Sequence, residues 1–247
     1  MEEGNFMSSK YVDDSLTLHT DLYQINMAES YWADGIHNRK AVFEVYFRKL
    51  PFGNGYAVFA GLERILDYLK NFKLTDSDIA YLRDELGYAE DYLNYLKDLR
   101  FTGDVYSMVE GELVFANEPI LRIEAPLVQA QLIETAILNI VNFQTLIATK
   151  ASRIKQVIKD EVGMEFGTRR AQEMDAALWG ARASVIGGFE ATSNVRAGKL
   201  FGIPVAGTHA HALVQAYKND YDAFHAYARK KKNCVFLVDT YNTLKSG

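Results

Sequence analysis

Cysteine is almost absent from this chain of 247 residues, which contains a single one, Cys234. One cysteine excludes an internal disulfide framework and any metal site built from several thiolates. Cys234 stands directly before an apolar run at residues 235–238, so we expect a buried and chemically inert thiol. The sequence therefore favours a protein of a reducing cytosol.

An excess of positive charge is also lacking, because 32 acidic residues outnumber 27 basic ones and give a formal net charge of −5. A general nucleic-acid binder needs a basic face that neutralises phosphates, so this balance argues against that class. The one basic run, residues 229–232, ends a helical pattern. There it is expected to complement the helix dipole and to stay solvated.

Apolar segments of the kind that target a chain to a membrane are missing from the sequence pattern. The first residues are polar and acidic, without the apolar core of a signal peptide, and residues 1–14 are expected to form a loose lead-in. No stretch is expected to reach the length of a membrane span. These absences predict a soluble, cytoplasmic protein. The length suffices for one large α/β domain or for two smaller ones.

Residues 1–125 mix helices and strands without regular alternation, which predicts an N-terminal mixed α/β domain. A strand is expected over residues 41–48, and a compact antiparallel meander between residues 104 and 124. Apolar spacing and capping residues predict helices over residues 20–32, 61–72, 91–99 and from 75 onward.

Pro126 marks the clearest boundary, because it opens a helix that runs to about residue 157. Beyond that helix, short apolar strands alternate with helices, which predicts parallel strands with right-handed crossovers. Strands are expected within residues 164–167, 187–193, 204–207 and 235–240. Helices are expected over residues 171–185, 213–217 and 220–229, and another is expected to follow residue 193 and end at residue 200. About four βα units are present where a closed barrel needs about eight. We therefore expect residues 126–247 to form an incomplete TIM-like α/β barrel.

Two histidines, His209 and His211, follow Gly207 and Thr208 at the end of an apolar run. In an extended segment, alternation places both imidazoles on one side of the chain. Such a pair can bind the metal ion of a hydrolase, or one ring can accept a phosphoryl group or a proton. A pair of hydrogen-bonded structural histidines fits the same pattern. The residues alone leave these interpretations open.

Arg169 and Arg170 follow an apolar strand and Gly167. At a predicted helix start, their guanidinium groups lie beside free backbone N–H groups, and this combination makes an anion or phosphate site. Arginine opposes the helix dipole at that end, so it is an odd place for purely structural charge. The alternative is a salt-bridged arginine pair.

Asp239 and Thr240 follow the apolar run at residues 235–238. A carboxylate at the C-terminal end of a parallel strand can bind ribose hydroxyls or help to hold Mg²⁺. The same two residues can serve merely as a helix cap. Tyr23 is one of fifteen tyrosines, and a core position is its simplest explanation.

Taken together and in order, four segments resemble nicotinate phosphoribosyltransferase, of the type II phosphoribosyltransferase group. Each segment is a weak signal alone, but the ordered set is specific and extends over nearly the whole chain from about residue 18. The matching segments are Thr20-Asp21-Leu22-Tyr23-Gln24, Phe166-Gly167-Thr168-Arg169-Arg170-Ala171-Gln172, Gly207-Thr208-His209-Ala210-His211 and Val238-Asp239-Thr240-Tyr241.

The resemblance implies ATP-coupled synthesis of nicotinate mononucleotide and pyrophosphate from nicotinate and phosphoribosyl pyrophosphate, with Mg²⁺. It also implies a phosphohistidine at His211, a role that His209 would not share. Thr208 would lie beside the nicotinate carboxylate, and Tyr23 would stack on the nicotinate ring from a neighbouring subunit of a homodimer. The resemblance also implies that Arg169 and Arg170 lie on the phosphate side of the pocket. It implies that Asp239 contacts the ribose or Mg²⁺.

Family members are longer, so the chain resembles an N-terminal portion of one. Three other functions stay open beside the leading one. The chain can be a non-catalytic remnant that pairs with a full-length relative. It can act on nicotinamide instead of nicotinate. It can also be a metal-dependent hydrolase that uses His209 and His211.

Overall fold

A computed structural model describes residues 16–247. The lead-in expected over residues 1–14 lies outside the described residues. The described chain is mixed α/β, as predicted. Its first part contains the elements α1 Leu22–Ala33, β1 Lys40–Val45, β2 Ala57–Val58, α2 Leu62–Lys70, α3 Asp76–Asp84, α4 Glu90–Asp98, β3 Asp104–Ser107, β4 Leu113–Val114 and β5 Leu121–Pro126.

The predicted antiparallel meander between residues 104 and 124 is wrong in its connectivity. β5 lies in the middle of a three-stranded antiparallel sheet, between β1 and β3. β4 leaves this sheet and pairs with β2. The backbone of Phe59 explains the choice, because it bonds to both Gly111 and Glu112 and so holds the turn before β4. This pairing also buries Val114, which is 1% exposed.

Local capping explains why α3 begins where the sequence predicts. The Thr75 hydroxyl accepts from the Asp78 N–H at 3.2 Å, and the Asp78 carboxylate accepts from the Thr75 N–H at 2.7 Å. This reciprocal capping box satisfies two backbone donors that the helix leaves without internal partners. At the end of α1, Gly35 has a φ of +70°, a left-handed conformation that suits glycine.

Helix α5, Leu127–Ile158, follows Pro126 and packs against both parts of the chain. On one side it contacts α1, β1 and β5, and on the other it contacts α6. The Thr149 hydroxyl accepts from the Val58 N–H at 2.9 Å, and the Thr145 hydroxyl accepts from the Ala60 N–H at 3.2 Å. These bonds satisfy a backbone donor of β2, at Val58, and one just beyond the strand, at Ala60, inside the core.

The expectation that no stretch reaches the length of a membrane span is wrong for α5. Its length and apolar composition would suffice for a crossing, but 56% of its most apolar window is buried inside the protein. A helix that is covered by protein on two sides shows the composition of a core helix.

The second part contains β6 Met164–Glu165, α6 Glu173–Ile186, β7 Ala191–Thr192, α7 Val195–Phe201, α8 His211–Gln215, α9 Asp220–Ala228 and α10 Thr243–Ser246. β6 and β7 pair in parallel, and Thr192 forms a parallel bridge with Val205. Three of the four predicted parallel positions are therefore confirmed. Neither the closure of a barrel nor the domain division at residues 1–125 and 126–247 is tested, and both stay predictions.

The fourth expected strand, residues 235–238, is wrong, since this segment carries no strand pairing. Its Leu237 N–H donates to the Nε2 atom of His209 at 3.1 Å. A side chain therefore takes the place of the carbonyl that a neighbouring strand would supply. Cys234, expected to be buried, is only partly so.

An ion cluster joins the two parts of the chain. Arg182 on α6 donates to both carboxylate oxygens of Glu110, at 2.9 and 2.7 Å, and also contacts Glu63 of α2. Glu110 accepts in addition from the N–H groups of Gly61 and Leu62, at 2.6 and 3.1 Å. One carboxylate thus satisfies the start of α2 and anchors α6.

Glu110→Gln is expected to destabilise the protein by about 2 kcal/mol at pH 7, because it removes a bidentate charged bond and leaves Arg182 with only the exposed Glu63 carboxylate as an ionic partner. The side chains of Arg182 and Glu110 are only 14% and 16% exposed. Urea unfolding measures the loss. Glu118→Gln, on an exposed turn, is the matched control and should stay within about 0.5 kcal/mol.

The same variant should show a dependence on pH. Burial opposes ionisation of Glu110, yet the bonds from Arg182 and Gly61 outweigh it and hold the pKa of that carboxyl below its ordinary 4.5. Ionised Glu110 therefore stabilises the fold fully above pH 4.5, and the contribution is lost as the pH falls through the lowered pKa. The stability difference between the wild type and Glu110→Gln should shrink on acidification. A gap that stays constant down to about pH 3 would contradict this account.

Candidate active site

His211 is the first residue of α8, and its side chain is exposed. Its Nδ1 atom lies 3.2 Å from the Oγ1 atom of Thr240. Residues 207–211 and 235–240 are therefore adjacent. Sequence reasoning could not identify the group that faces this imidazole, and the structure supplies Thr240.

His209 has a different environment. Its ring is half-buried and lies 5.2 Å from the ring of Tyr227 and 5.6 Å from that of Phe224, measured between centroids. The Nδ1 atom donates to the Ala210 carbonyl at 3.2 Å, and Nε2 accepts from the Leu237 N–H. A carbonyl can only accept and an N–H can only donate, so these contacts specify a neutral imidazole with its proton on Nδ1.

Both nitrogens of His209 are therefore engaged, which removes the basis of a metal site shared with His211. Among residues 16–247 there is no group of three or more histidine, cysteine, aspartate and glutamate residues able to hold a metal ion. The alternating pair of the sequence thus separates into one exposed histidine and one packed histidine.

Thr208 and Asp239 complete this part of the site, and both are exposed. The Thr208 hydroxyl donates to the His209 carbonyl at 3.0 Å, which leaves its lone pairs free to accept. The Asp239 carboxylate directly precedes Thr240, the residue that meets His211. The arrangement gathers an imidazole, two hydroxyls and a carboxylate within two short segments.

The helix expected from about residue 171, with Arg169 and Arg170 at its start, begins at Glu173. These residues lie in a 3₁₀ turn, Thr168–Arg170, whereas α6 begins at Glu173 after two intervening residues. The first turn of α6 carries Glu173 and Asp175, so it offers negative rather than positive charge. The predicted contribution of helix N–H groups to an anion site is therefore wrong.

The two arginines are nevertheless available to a ligand. Both are exposed, and neither makes an ion pair within the part of the chain that the structure describes. The salt-bridged alternative is thus wrong for that part. Arg170 and Lys150 border a cleft of about 500 Å³ between α5 and α6. Two cationic side chains at one cleft can attract an anionic ligand.

Glu165 and Thr192 tie the ends of β6 and β7 together, a role that sequence reasoning missed. The Thr192 hydroxyl donates to the Glu165 carboxylate at 2.7 Å, and the same carboxylate accepts from the Gly167 N–H. Thr192 is fully buried. The sequence feature that could have predicted this contact is a polar residue at the end of each short strand, Glu165 in β6 and Thr192 in β7. Asn194 caps the start of α7, because its side-chain oxygen accepts from the Ala197 N–H at 3.0 Å.

Tyr23 lies on α1 and is 51% exposed, so the core position considered for it is wrong. Its hydroxyl accepts from the Nε2 atom of Gln24 at 3.1 Å. Gln24 is fully buried, and its Oε1 atom accepts from Gln131 of α5. This amide pair holds the Tyr23 hydroxyl while half of the side chain faces solvent. No hydrogen bond or ring contact within residues 16–247 joins Tyr23 to His211.

Three comparisons with known proteins show which family the chain resembles. A family model for the N-terminal domain of nicotinate phosphoribosyltransferase matches residues 18–142. The chain is 74% identical over 237 residues to nicotinate phosphoribosyltransferase of Bacillus subtilis, covering 96% of this chain and 48% of that protein. The crystal structure of human nicotinic acid phosphoribosyltransferase superposes with a TM-score of 0.75 at 38% identity, over 80% of this chain and 40% of that one.

A more distant likeness concerns the fold alone. Nicotinate-nucleotide pyrophosphorylase of Pyrococcus furiosus has a TM-score of 0.78 at 24% identity, over 96% of this chain and 55% of that one. The chain spans about half the length of the curated relatives it matches. On the extent of the matching family model and the identity to these relatives, the chain belongs to the nicotinate phosphoribosyltransferase family, of which it is an N-terminal portion.

Proposed function

We propose that the protein to which this chain belongs makes nicotinate mononucleotide and pyrophosphate from nicotinate and phosphoribosyl pyrophosphate, coupled to ATP through phosphorylation of His211. The observation that carries this proposal is the exposed His211 imidazole, set against the Thr240 hydroxyl at 3.2 Å in a chain of this family. An exposed imidazole held by a neighbour is suited to accept a group from a bound ligand.

In the coupling step, ATP transfers its γ-phosphoryl group to His211. One imidazole nitrogen of His211 forms a bond to the γ-phosphorus of ATP. The bond from that phosphorus to the bridging oxygen breaks, and ADP leaves with the electron pair. Catalysis of such a transfer is mostly positioning and charge stabilisation. Cationic side chains near the phosphates, such as Arg169 and Arg170, would supply that stabilisation.

In the transfer step, the ring nitrogen of nicotinate attacks the anomeric carbon of the ribose. The bond from that carbon to the pyrophosphate oxygen breaks, and positive charge develops at the sugar. We assign Thr208 to the nicotinate carboxylate and Asp239 to the ribose hydroxyls. These contacts would hold the attacking nitrogen in line with the leaving group.

The exposed Asp239 carboxylate fits Mg²⁺, which is commonly held by one or two carboxylates together with substrate phosphates. When bound, the ion neutralises charge on the leaving pyrophosphate. Tyr23, half-exposed and held by Gln24, would stack on the nicotinate ring of a neighbouring subunit in a homodimer. We further propose that the parallel strands β6 and β7 and the bridge at Val205 begin a TIM-like barrel.

Incubation with γ-labelled ATP and Mg²⁺ should label the protein on His211, and His211→Ala should lose the label. Acid-labile, base-stable radioactivity and peptide mass spectrometry measure it. His225→Ala is the matched control, because His225 is an exposed histidine on α9 and should not affect the label. Equal labelling of His211→Ala would remove this assignment.

Nicotinate should be preferred over nicotinamide by about 100-fold in kcat/KM, because the carboxylate adds charge-assisted hydrogen bonds worth about 2–3 kcal/mol. Mononucleotide formation with each substrate measures the ratio, and light scattering gives the oligomeric state. A reversed preference would identify a nicotinamide enzyme. A chain without turnover that associates with a full-length relative would indicate the non-catalytic remnant.

A further inference from the structure

His209 makes several hydrogen bonds and ring contacts, although the resemblance assigns it no chemical role. It lies in sequence between the proposed substrate contact Thr208 and the proposed acceptor His211. Yet both of its ring nitrogens are hydrogen-bonded. Its ring also meets aromatic rings from two separate parts of the chain, at Phe224, Tyr227 and Phe236.

The segment that His209 contacts has few other hydrogen bonds. Between residues 232 and 241, the described chain makes two: Leu237 N–H to His209, and the contact of Thr240 with His211. The segment has no strand partner among residues 16–247, so no sheet ladder from that part of the chain fixes its backbone. The bond at Leu237 therefore replaces a ladder bond at the point where the segment approaches the site.

Leu237 lies only three residues before Thr240, a distance of about 10 Å in an extended chain. The Asp239 carboxylate stands between them in sequence. Any shift of the backbone at Leu237 therefore moves both Asp239 and Thr240 relative to His211. Side chains that act on a bound substrate need their geometry held by the residues behind them.

We propose that His209 is a positioning residue of the active site, whose unprotonated Nε2 atom holds the backbone at Leu237 and thereby sets Asp239 and Thr240 against His211. This inference rests on the proposed function for its catalytic consequence. The positioning itself rests on the contacts of His209 alone. Histidine suits this position because it combines a ring that packs against aromatic neighbours with an acceptor for the partly buried Leu237 N–H.

Two variants separate the acceptor from the packing. His209→Gln keeps a hydrogen-bond acceptor at about the reach of Nε2, whereas His209→Leu keeps apolar volume and removes the acceptor. His225→Leu on α9 is the control for loss of a histidine elsewhere. Amide hydrogen exchange, measured residue by residue, reports on Leu237, and exchange in α5 reports on whether the whole fold is intact.

His209→Leu should raise exchange at Leu237 about tenfold while α5 stays protected, since one partly buried hydrogen bond is lost. It should lower the rate of His211 labelling from saturating γ-labelled ATP about tenfold. His209→Gln should return both quantities to within about threefold of the wild type. This rescue would distinguish a placed acceptor from packing alone.

Equal behaviour of the Leu and Gln variants, or a Leu variant that exchanges and labels like the wild type, would overturn the proposal. If the wild type itself takes no label, the proposed function is wrong, but the positioning role of His209 is still open to test. The positioning claim is then decided by exchange at Leu237 and by the nuclear Overhauser contact between the His211 ring and Thr240. Loss of that contact in His209→Leu, with rescue by Gln, supports it, and persistence in His209→Leu contradicts it.

Discussion

Burial of helix α5 on two sides is the constraint on which the rest of the described structure depends. Its apolar residues close the core of the three-stranded sheet, and its far side packs on α6. The approach to α6 is close: a Cβ atom added at Gly187 would lie 2.3 Å from the Ala148 carbonyl oxygen. A side chain at that position would push α6 away from α5.

The position of α6 in turn fixes the strand ends that form the site. β6 enters α6 through the turn that carries Arg169 and Arg170, and β7 follows α6 directly. The carboxylate of Glu165 joins the ends of the two strands through Thr192. The segments that carry His211 and Asp239 follow the next positions along the chain. Contacts of α5 with α6, and of β6 with β7, thus lead from the core to the strand ends beside the proposed site.

The features predicted correctly from sequence are those with local causes. The capping box at Thr75 and the start of α5 after Pro126 need only neighbouring residues. The pairing of β4 with β2, by contrast, depends on backbone contacts with Phe59 across the fold, which no local pattern records.

The role of His209 was invisible in the sequence for a similar reason. Its acceptor serves a backbone N–H that lies 28 residues further on, and backbone groups leave no trace in residue identity. Within residues 16–247, the segment 235–238 is apolar and rich in β-formers yet carries no strand pairing, and His209 is the group that satisfies its Leu237 N–H. α6 starts later than predicted because a 3₁₀ turn, Thr168–Arg170, precedes it. Nothing in the sequence of this turn predicted a 3₁₀ conformation.

The central claim is that the two histidines have separate tasks, His209 as a neutral acceptor within the protein and His211 as the group open to ligands. Long-range ¹H–¹⁵N correlation spectra of the imidazole rings test it most directly. We predict a single tautomer for His209, with the proton on Nδ1 and a non-protonated Nε2 that is coupled to the Leu237 amide. A His209 ring that carries its proton on Nε2, or that exchanges between both tautomers as a solvent-exposed ring does, would contradict the account.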